Sequence, residues 1–378
     1  MNSNLKTKLA AIYHKNNIAL YHYLIAAKGY INSLGSAKNT VTPEIDFVVT
    51  WVDGNDPAWK AEKQRFLQQT HADLFANNVE RYRNWDIFRY WFRSVEQYAP
   101  WVRKVHLVTC GHFPKWLNME YPKLNLVTHT QIMDEKYLPT FNSNSIELNL
   151  HHIQDLSECF VYFNDDVFLS RPVEPSDFFS NGLPKITAIA EPIHMRKSNS
   201  AFDHTLLNAT GFINGLCEAN ACMPAYPEKW FSKVYKSGLK SNFYALSANY
   251  FPGFYFSHLE APFRKSTFEE VWKEAPDLLD SSCYHKFREF NDLMHLIFTM
   301  YEAVHGSFSP VESGYFGTGF NRLDQQLPEV RAAFASKKYR SICLNDTELI
   351  SGKAFEIAKS QLCGILNEQF PEKSSFEL

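Results

Sequence analysis

The chain has no run of about 18 consecutive apolar residues, so no transmembrane helix is expected. Its N-terminus lacks the uninterrupted apolar core and small-residue cleavage site of a signal peptide. The seven cysteines (Cys110, Cys159, Cys217, Cys222, Cys283, Cys343 and Cys363) are scattered, odd in number, and form no CxxC. That pattern argues against a disulfide framework or a thiolate zinc site and predicts a reducing, cytoplasmic location. A charge excess of one sign is also missing. With 38 basic and 41 acidic residues the net charge is −3, which disfavours nucleic acid as the main partner. Internal repeats and low-complexity tracts are absent. One further absence is local: residues 1–43 carry Lys6, Lys8, Lys15, Lys28 and Lys38 but no Asp or Glu.

What is present suffices for a large core. The 378 residues are 45% hydrophobic and 15% aromatic, which suits one large domain with insertions or two domains. LAAIYHKNNIALYHYLIAAKGYI has helical character, with apolar and aromatic residues between its lysines. Such a helix can lie on an anionic membrane surface, which predicts peripheral contact through residues 1–40; the other reading is an ordinary helix packed on the domain. SAKNTVTP (36–43) reads as a polar linker. IDFVVTWV (45–52) is a β-branched run that ends at Asp53-Gly54, a strand followed by a turn. Strands are also predicted over 102–110, 124–130 and 160–164, and helices over 57–74, 86–98 and 143–156. This alternation predicts an α/β domain, a mainly parallel sheet flanked by helices, with ligands at the carboxyl ends of its strands. Residues 185–335 read as an inserted, mostly helical subdomain. RSICLND (340–346) reads as a short strand ending in an acid, 351–368 as a helix, and PEKSSFEL as a plain polar end.

Several constellations could carry chemistry. FVYFNDDVFL (160–169) places Asp165 and Asp166 at a strand end, where two rigidly held carboxylates suit Mg²⁺ or Mn²⁺ beside a substrate phosphate. A solvated turn accounts for the doublet equally well. In TWVDGNDPAW (50–59), Trp51, Asp53 and Gly54 could offer a base or ribose a stacking surface and an acceptor, or simply close a strand. Arg81, Arg83, Arg89, Arg93 and Arg103 form a basic stretch, in which Arg89 and Arg93 share a helix face. They suit phosphate binding, or pairing with Asp86 or Glu96. Asn142, Ser143 and Asn144 precede a helix, as caps or as an anion site. With 14 histidines in the chain, spacing alone does not separate His258 from His285.

Taken in order, these segments resemble the Stealth family of capsular polysaccharide phosphotransferases, which includes the catalytic core of the lysosomal-enzyme N-acetylglucosamine-1-phosphotransferase. IDFVVTWVDGND resembles the family's first region. RNWDIFRYWFRSVEQYAPWVRKVHLVT, PTFNSNSIE and YFNDDVFL together resemble the second. HLEAPFRKSTFEEVW with FREFND resembles the third, and ICLND the fourth. The resemblance spans roughly 45–350. It leaves a basic helical extension (1–43), a catalytic domain (44–350) and a C-terminal helix and tail (351–378). It implies transfer of a hexose 1-phosphate from a nucleotide-sugar, usually a UDP-hexose, to a glycan hydroxyl, with release of UMP. The acceptor is expected to be a glycan, lipid-linked in the cell. By this resemblance Asp165, Asp166 and Asp346 are expected at the metal, with Asn345 as a polar neighbour. Trp51, Asp53 and Gly54 are expected at the nucleotide, and Arg89, Arg93, Asn142, Asn144 and Lys265 around the substrate. His258 and Arg288 look catalytic, with Asp53 the rival base. The competing readings are a metal-dependent glycosyltransferase, which would release UDP, and a carbohydrate-binding protein without catalysis.

Overall fold

The computed structural model describes residues 3–34, 43–70, 82–195, 200–314, 317–346 and 351–378. Arg81, the end of the first predicted domain helix (71–74) and most of the linker lie outside them. Strands β1 (Ile45–Thr50), β2 (Val105–Thr109), β3 (Leu124–Thr128) and β4 (Cys159–Asn164) form the parallel part of a five-stranded sheet. Its order is β3-β2-β1-β4-β8, where β5 is Val167–Leu169, β6 Phe179–Ser180, β7 Leu183–Ile186 and β8 Ala261–Arg264. The mainly parallel α/β expectation therefore holds, with β8 antiparallel at one edge.

The strand sequences explain why both faces are covered. In β1 the buried residues are continuous rather than alternating, the signature of a strand enclosed on both sides. Val48, Phe160 and Tyr162 enter one core, while Phe47, Val49, Val161 and Phe163 enter the other. Each fully buried aliphatic or aromatic side chain of this kind contributes roughly 1.5–3 kcal/mol. On the second face lies helix Phe88–Tyr98, whose Phe88, Trp91, Phe92 and Val95 recur at helical spacing.

Two expectations need correction. The region 143–156 is not one helix: it holds a short helix, Ser143–Glu147, and a 3₁₀ turn at Leu150–His152. Asn142 caps the short helix. The tail is not a plain polar end either. Phe376 is buried, Glu377 pairs with Arg93, and the Leu378 amide donates to the Trp116 carbonyl, so the last residues pack back on the domain. The span 185–335 is largely helical, yet it returns β8 to the central sheet.

The Asp165-Asp166 turn is a corner between sheets. The chain leaves β4, turns at the doublet, and enters β5 of a second sheet of order β10-β11-β5, where β9 is Ser309–Pro310, β10 Gly317–Phe320 and β11 Ser341–Leu344. β5 runs antiparallel to β11, and the Leu344 amide donates to the Asp166 carbonyl at 2.8 Å. Because β8 runs opposite to β4, residues just before Ala261 arrive at the same end of the sheet.

Candidate active site

That corner is the floor of a cavity of about 290 Å³. Its wall takes Trp51 from the end of β1, His129 from the end of β3, and Asn164, Asp165 and Asp166 from the end of β4. His258 arrives ahead of β8, and Asn345 and Asp346 follow β11. Arg288 closes the ring from a loop. Strand-end placement of this kind is where open α/β sheets bind ligands.

The doublet is electrostatically uneven. Burial, and then the neighbouring Asp166 charge, push Asp165 up to about 7. Burial works on Asp166 in the same direction, but the His258 imidazole overrides it and holds Asp166 below the ordinary carboxylate range. His258 Nε2 stands 3.6 Å from Asp166 Oδ2. Burial works to lower the His258 pKa, and the Asp166 carboxylate raises it on balance. Cys343 Sγ donates to the same Oδ2 at 3.5 Å, while Asp166 Oδ1 is buried without a hydrogen-bond partner. An unpartnered buried carboxylate oxygen is costly unless something positive meets it.

Residues that could hold a metal ion come together here. Asp166, His258 and Cys343 bring ligand atoms within 4.8 Å of one another. With no metal bound, burial raises the Cys343 thiol well above its usual range, and the Asp166 carboxylate is the hard oxygen donor of the three.

Two family descriptions match the chain: Stealth protein CR1, conserved region 1, over residues 43–70, and Stealth protein CR2, conserved region 2, over residues 81–186. The capsular polysaccharide phosphotransferase WcwK of Streptococcus pneumoniae is 38% identical over 334 residues, covering 88% of this chain and 98% of that protein. The chain belongs to the Stealth family. It is 37% identical to the receptor polysaccharide phosphotransferase WefC of Streptococcus oralis, covering 89% of this chain and 99% of that one. It is 36% identical to the exopolysaccharide phosphotransferase cps2G of Lactiplantibacillus plantarum, covering 88% and 96%. Like these relatives, this Stealth chain is a transferase. Among solved structures, the WbbM bifunctional glycosyltransferase is similar at a TM-score of 0.32 and 11% identity, covering 89% of this chain and 54% of that one, a distance at which nothing further carries over.

Within this Stealth pocket, Trp51, Asp165, Asp166, His258, Arg288, Asn345 and Asp346 all meet, from segments up to 295 residues apart. Trp51 stacks on Phe88 at 5.5 Å. Arg288 Nη2 donates to Ser143 Oγ at 2.6 Å. The loop that carries Arg288 is clamped: Asp292 accepts from Asn142 Nδ2 at 2.9 Å and Asn144 Nδ2 at 3.1 Å, and His285 Nδ1 lies 2.6 Å from its other oxygen. Asn142 and Asn144 are thus buried supports behind the cavity rather than part of its wall. Asp53 lies just outside the wall, with its amide donating to His112 Nε2 at 2.7 Å and Oδ1 accepting from the Asn55 amide at 3.0 Å. Gly54 follows it where a Cβ would overlap the Tyr82 carbonyl, so close backbone approach accounts for the glycine.

Other expected site residues go elsewhere. Asp346 reaches the pocket, but both its oxygens accept from Arg83, at 2.8 and 2.5 Å, which makes it an anchor for that guanidinium. Arg93 is buried and committed to Glu377, at 2.6 and 2.8 Å, and to the Phe370 carbonyl. Arg89 lies over the Trp116 ring, 5.7 Å from its centroid, outside the wall. Lys265 follows β8, whose Arg264 pairs with Cys159 at the start of β4, so strand direction carries it to the opposite end of the sheet from the doublet.

The wall also holds residues that motif reading passed over. His129 directly follows β3, the same strand-end rule that singled out Asp165. Burial, and then the nearby His112, push it down to about 4, so it is neutral near pH 7 and offers one donor and one acceptor. Glu147 is buried beneath the wall, 2.7 Å from His295 Nδ1 and 3.3 Å from the Tyr162 hydroxyl. No local signal marks Glu147, since its imidazole partner His295 lies 148 residues away.

Proposed function

We propose that this chain transfers a hexose 1-phosphate from a UDP-hexose to a hydroxyl of a glycan acceptor, with UMP as the leaving group, during synthesis of capsular or other cell-surface polysaccharide. The observation that carries this reading is the partly unsatisfied Asp165-Asp166 doublet facing His258 and Arg288 in one cavity at the sheet's ligand-binding end. The names of relatives at 36–38% identity, polysaccharide phosphotransferases, support the phosphate-transfer part of it.

In the proposed step the acceptor oxygen forms a bond to the sugar-bearing phosphorus, and the bond from that phosphorus to the bridging oxygen breaks. UMP leaves with those electrons, and the anomeric bond survives. His258 takes the acceptor proton. Its position against Asp166 makes it a better base than Asp53, whose carboxylate serves its own turn. Arg288, steadied by Ser143, faces the phosphoryl oxygens. Asp165 and Asp166 would hold Mg²⁺ or Mn²⁺, which supplies neutralisation of the diphosphate charge. Trp51, Asn345 and the Asp53-Gly54 turn border the nucleotide. The acceptor is lipid-linked, and the enzyme meets it at the inner face of the membrane.

The test is product analysis. Incubation with UDP-hexoses, Mg²⁺ and a hydroxyl-bearing glycan should yield UMP that depends on acceptor and is lost in His258→Ala. UDP as the nucleotide product would overturn the reading in favour of glycosyl transfer.

A further inference from the structure

Over its described side chains, from Ile18 on, helix α1 (Ser3–Ser33) is apolar on two opposite sides. Of the 18 large apolar side chains exposed among the described residues, eight lie between Ile18 and Leu34. One stripe of α1 is seated on the protein. His22, Gly29 and Ser33 are buried, and Ile25 and Ala26 pack against the first core. A Cβ on Gly29 would overlap the Pro227 carbonyl, and Ser33 Oγ accepts from the Lys233 amide at 3.1 Å. This is a fitted helix contact, so the helix orientation is set by the fold.

The stripe directly opposite is Leu20, Leu24, Ala27, Ile31 and Leu34, at alternating four- and three-residue steps. Leu20, Leu24, Ile31 and Leu34 are 56, 57, 63 and 54% exposed. Tyr23 and Tyr30 flank one side of it and Lys28 the other. No helix among the described residues is long and apolar enough to cross a membrane.

We propose that this outer face docks on an anionic lipid bilayer, with α1 lying between the surface and the protein. The spacing would also suit a coiled-coil seam with a second copy. Charge decides against that. The first acid of the chain is Glu44, so a seam between two copies of α1 would set Lys28 beside its counterpart with no acid on either helix. An anionic surface answers both features: the stripe enters the acyl boundary, tyrosine rings sit at headgroup level, and Lys28 reaches the phosphates. The inference deepens the acceptor side of the proposed function, and it does not depend on the transfer chemistry.

The experiment is cosedimentation of the 378-residue chain with phosphatidylcholine vesicles, with and without 40% phosphatidylglycerol. The expected result is binding to the anionic vesicles that falls in 0.5 M salt. Leu24→Glu with Ile31→Glu should reduce it at least about tenfold and Lys28→Ala about fivefold, with unchanged thermal melting. Equal binding to neutral vesicles, no binding, or a dimer in sedimentation equilibrium that Leu24→Glu dissolves would each overturn it. No nucleotide-sugar is present, so the result separates from that of the UMP assay.

Discussion

Two acidic clusters sit at opposite ends of the paired strands β1 and β4, and they are built on opposite terms. At the amino end, Asp46 is fully buried with every lone-pair direction in use. It accepts from Arg103 at 2.8 and 2.5 Å, from the Ser157 amide at 2.8 Å and the Lys104 amide at 3.2 Å, and lies 3.0 Å from His106 Nε2. At the carboxyl end, Asp165 and Asp166 crowd each other, and Asp166 Oδ1 has no partner. The same residue type is structural where the fold completes its hydrogen bonds and available for ligand where it does not. Parallel strands explain the polarity, since their carboxyl ends gather at one edge, where loops leave a crevice.

The contrast is sharpened most by swapping the losses. Asp166→Ala should lower transfer by about 10³-fold, in line with removal of a charge-stabilising group at a reaction centre. Its urea midpoint should move little, because the Oδ2 contacts with His258 and Cys343 are lost together with the unpartnered Oδ1. A variant that unfolds while its folded fraction stays active would break the comparison. Asp46→Ala should do the reverse, costing about 3–5 kcal/mol in urea denaturation because Arg103 and His106 lose their partner, with activity per folded molecule retained.

The acid limb of stability should follow Asp46. Burial works to raise its pKa, but His106, Arg103 and Ser157 hold it below the ordinary value. Its contribution is therefore complete above the unfolded carboxylate value of about 3.9 and disappears as pH falls through the lower folded value. Thermal melts from pH 6 to pH 2 should show a shallower loss for Asp46→Ala than for the parent chain.

Arginines make a smaller version of the same test. Arg93→Ala should destabilise by about 3 kcal/mol by stranding the buried Glu377, whereas Arg89→Ala should change stability by less than about 1 kcal/mol. If Arg89→Ala instead raised the KM for donor, the guanidinium would have a ligand role that its place over Trp116 does not indicate. Lys265→Ala, at the far end of the sheet, should leave both kcat and KM within about twofold.

Legibility from sequence followed range. The strands β1 and β4 were readable because hydrophobic runs bounded by turn residues are local, and Asp165-Asp166 and Trp51 stood at their ends. Arg93 stays ambiguous in the sequence because its helix position suits an outward phosphate clamp as well as an ion pair. Only the returning tail, 284 residues later, buries it against Glu377. Asn142 and Asn144 were recognisable as caps, but their commitment to Asp292 lies 150 and 148 residues away. Lys265 sat near His258 in the chain, and four strand residues of about 3.3 Å each carried it out of reach.

By itself, then, the amino-acid sequence determined the alternating α/β pattern, the acids at strand ends, the acid-free helix ahead of Glu44 and membership of the Stealth family. Periodicity, turn chemistry and composition are properties of neighbouring residues. Tertiary structure alone decided which polar groups are satisfied. It turned Asp346 toward Arg83, left Asp166 Oδ1 without a partner and set the Leu20–Leu34 stripe outward, because long-range pairing decides which groups remain available to a ligand or a surface.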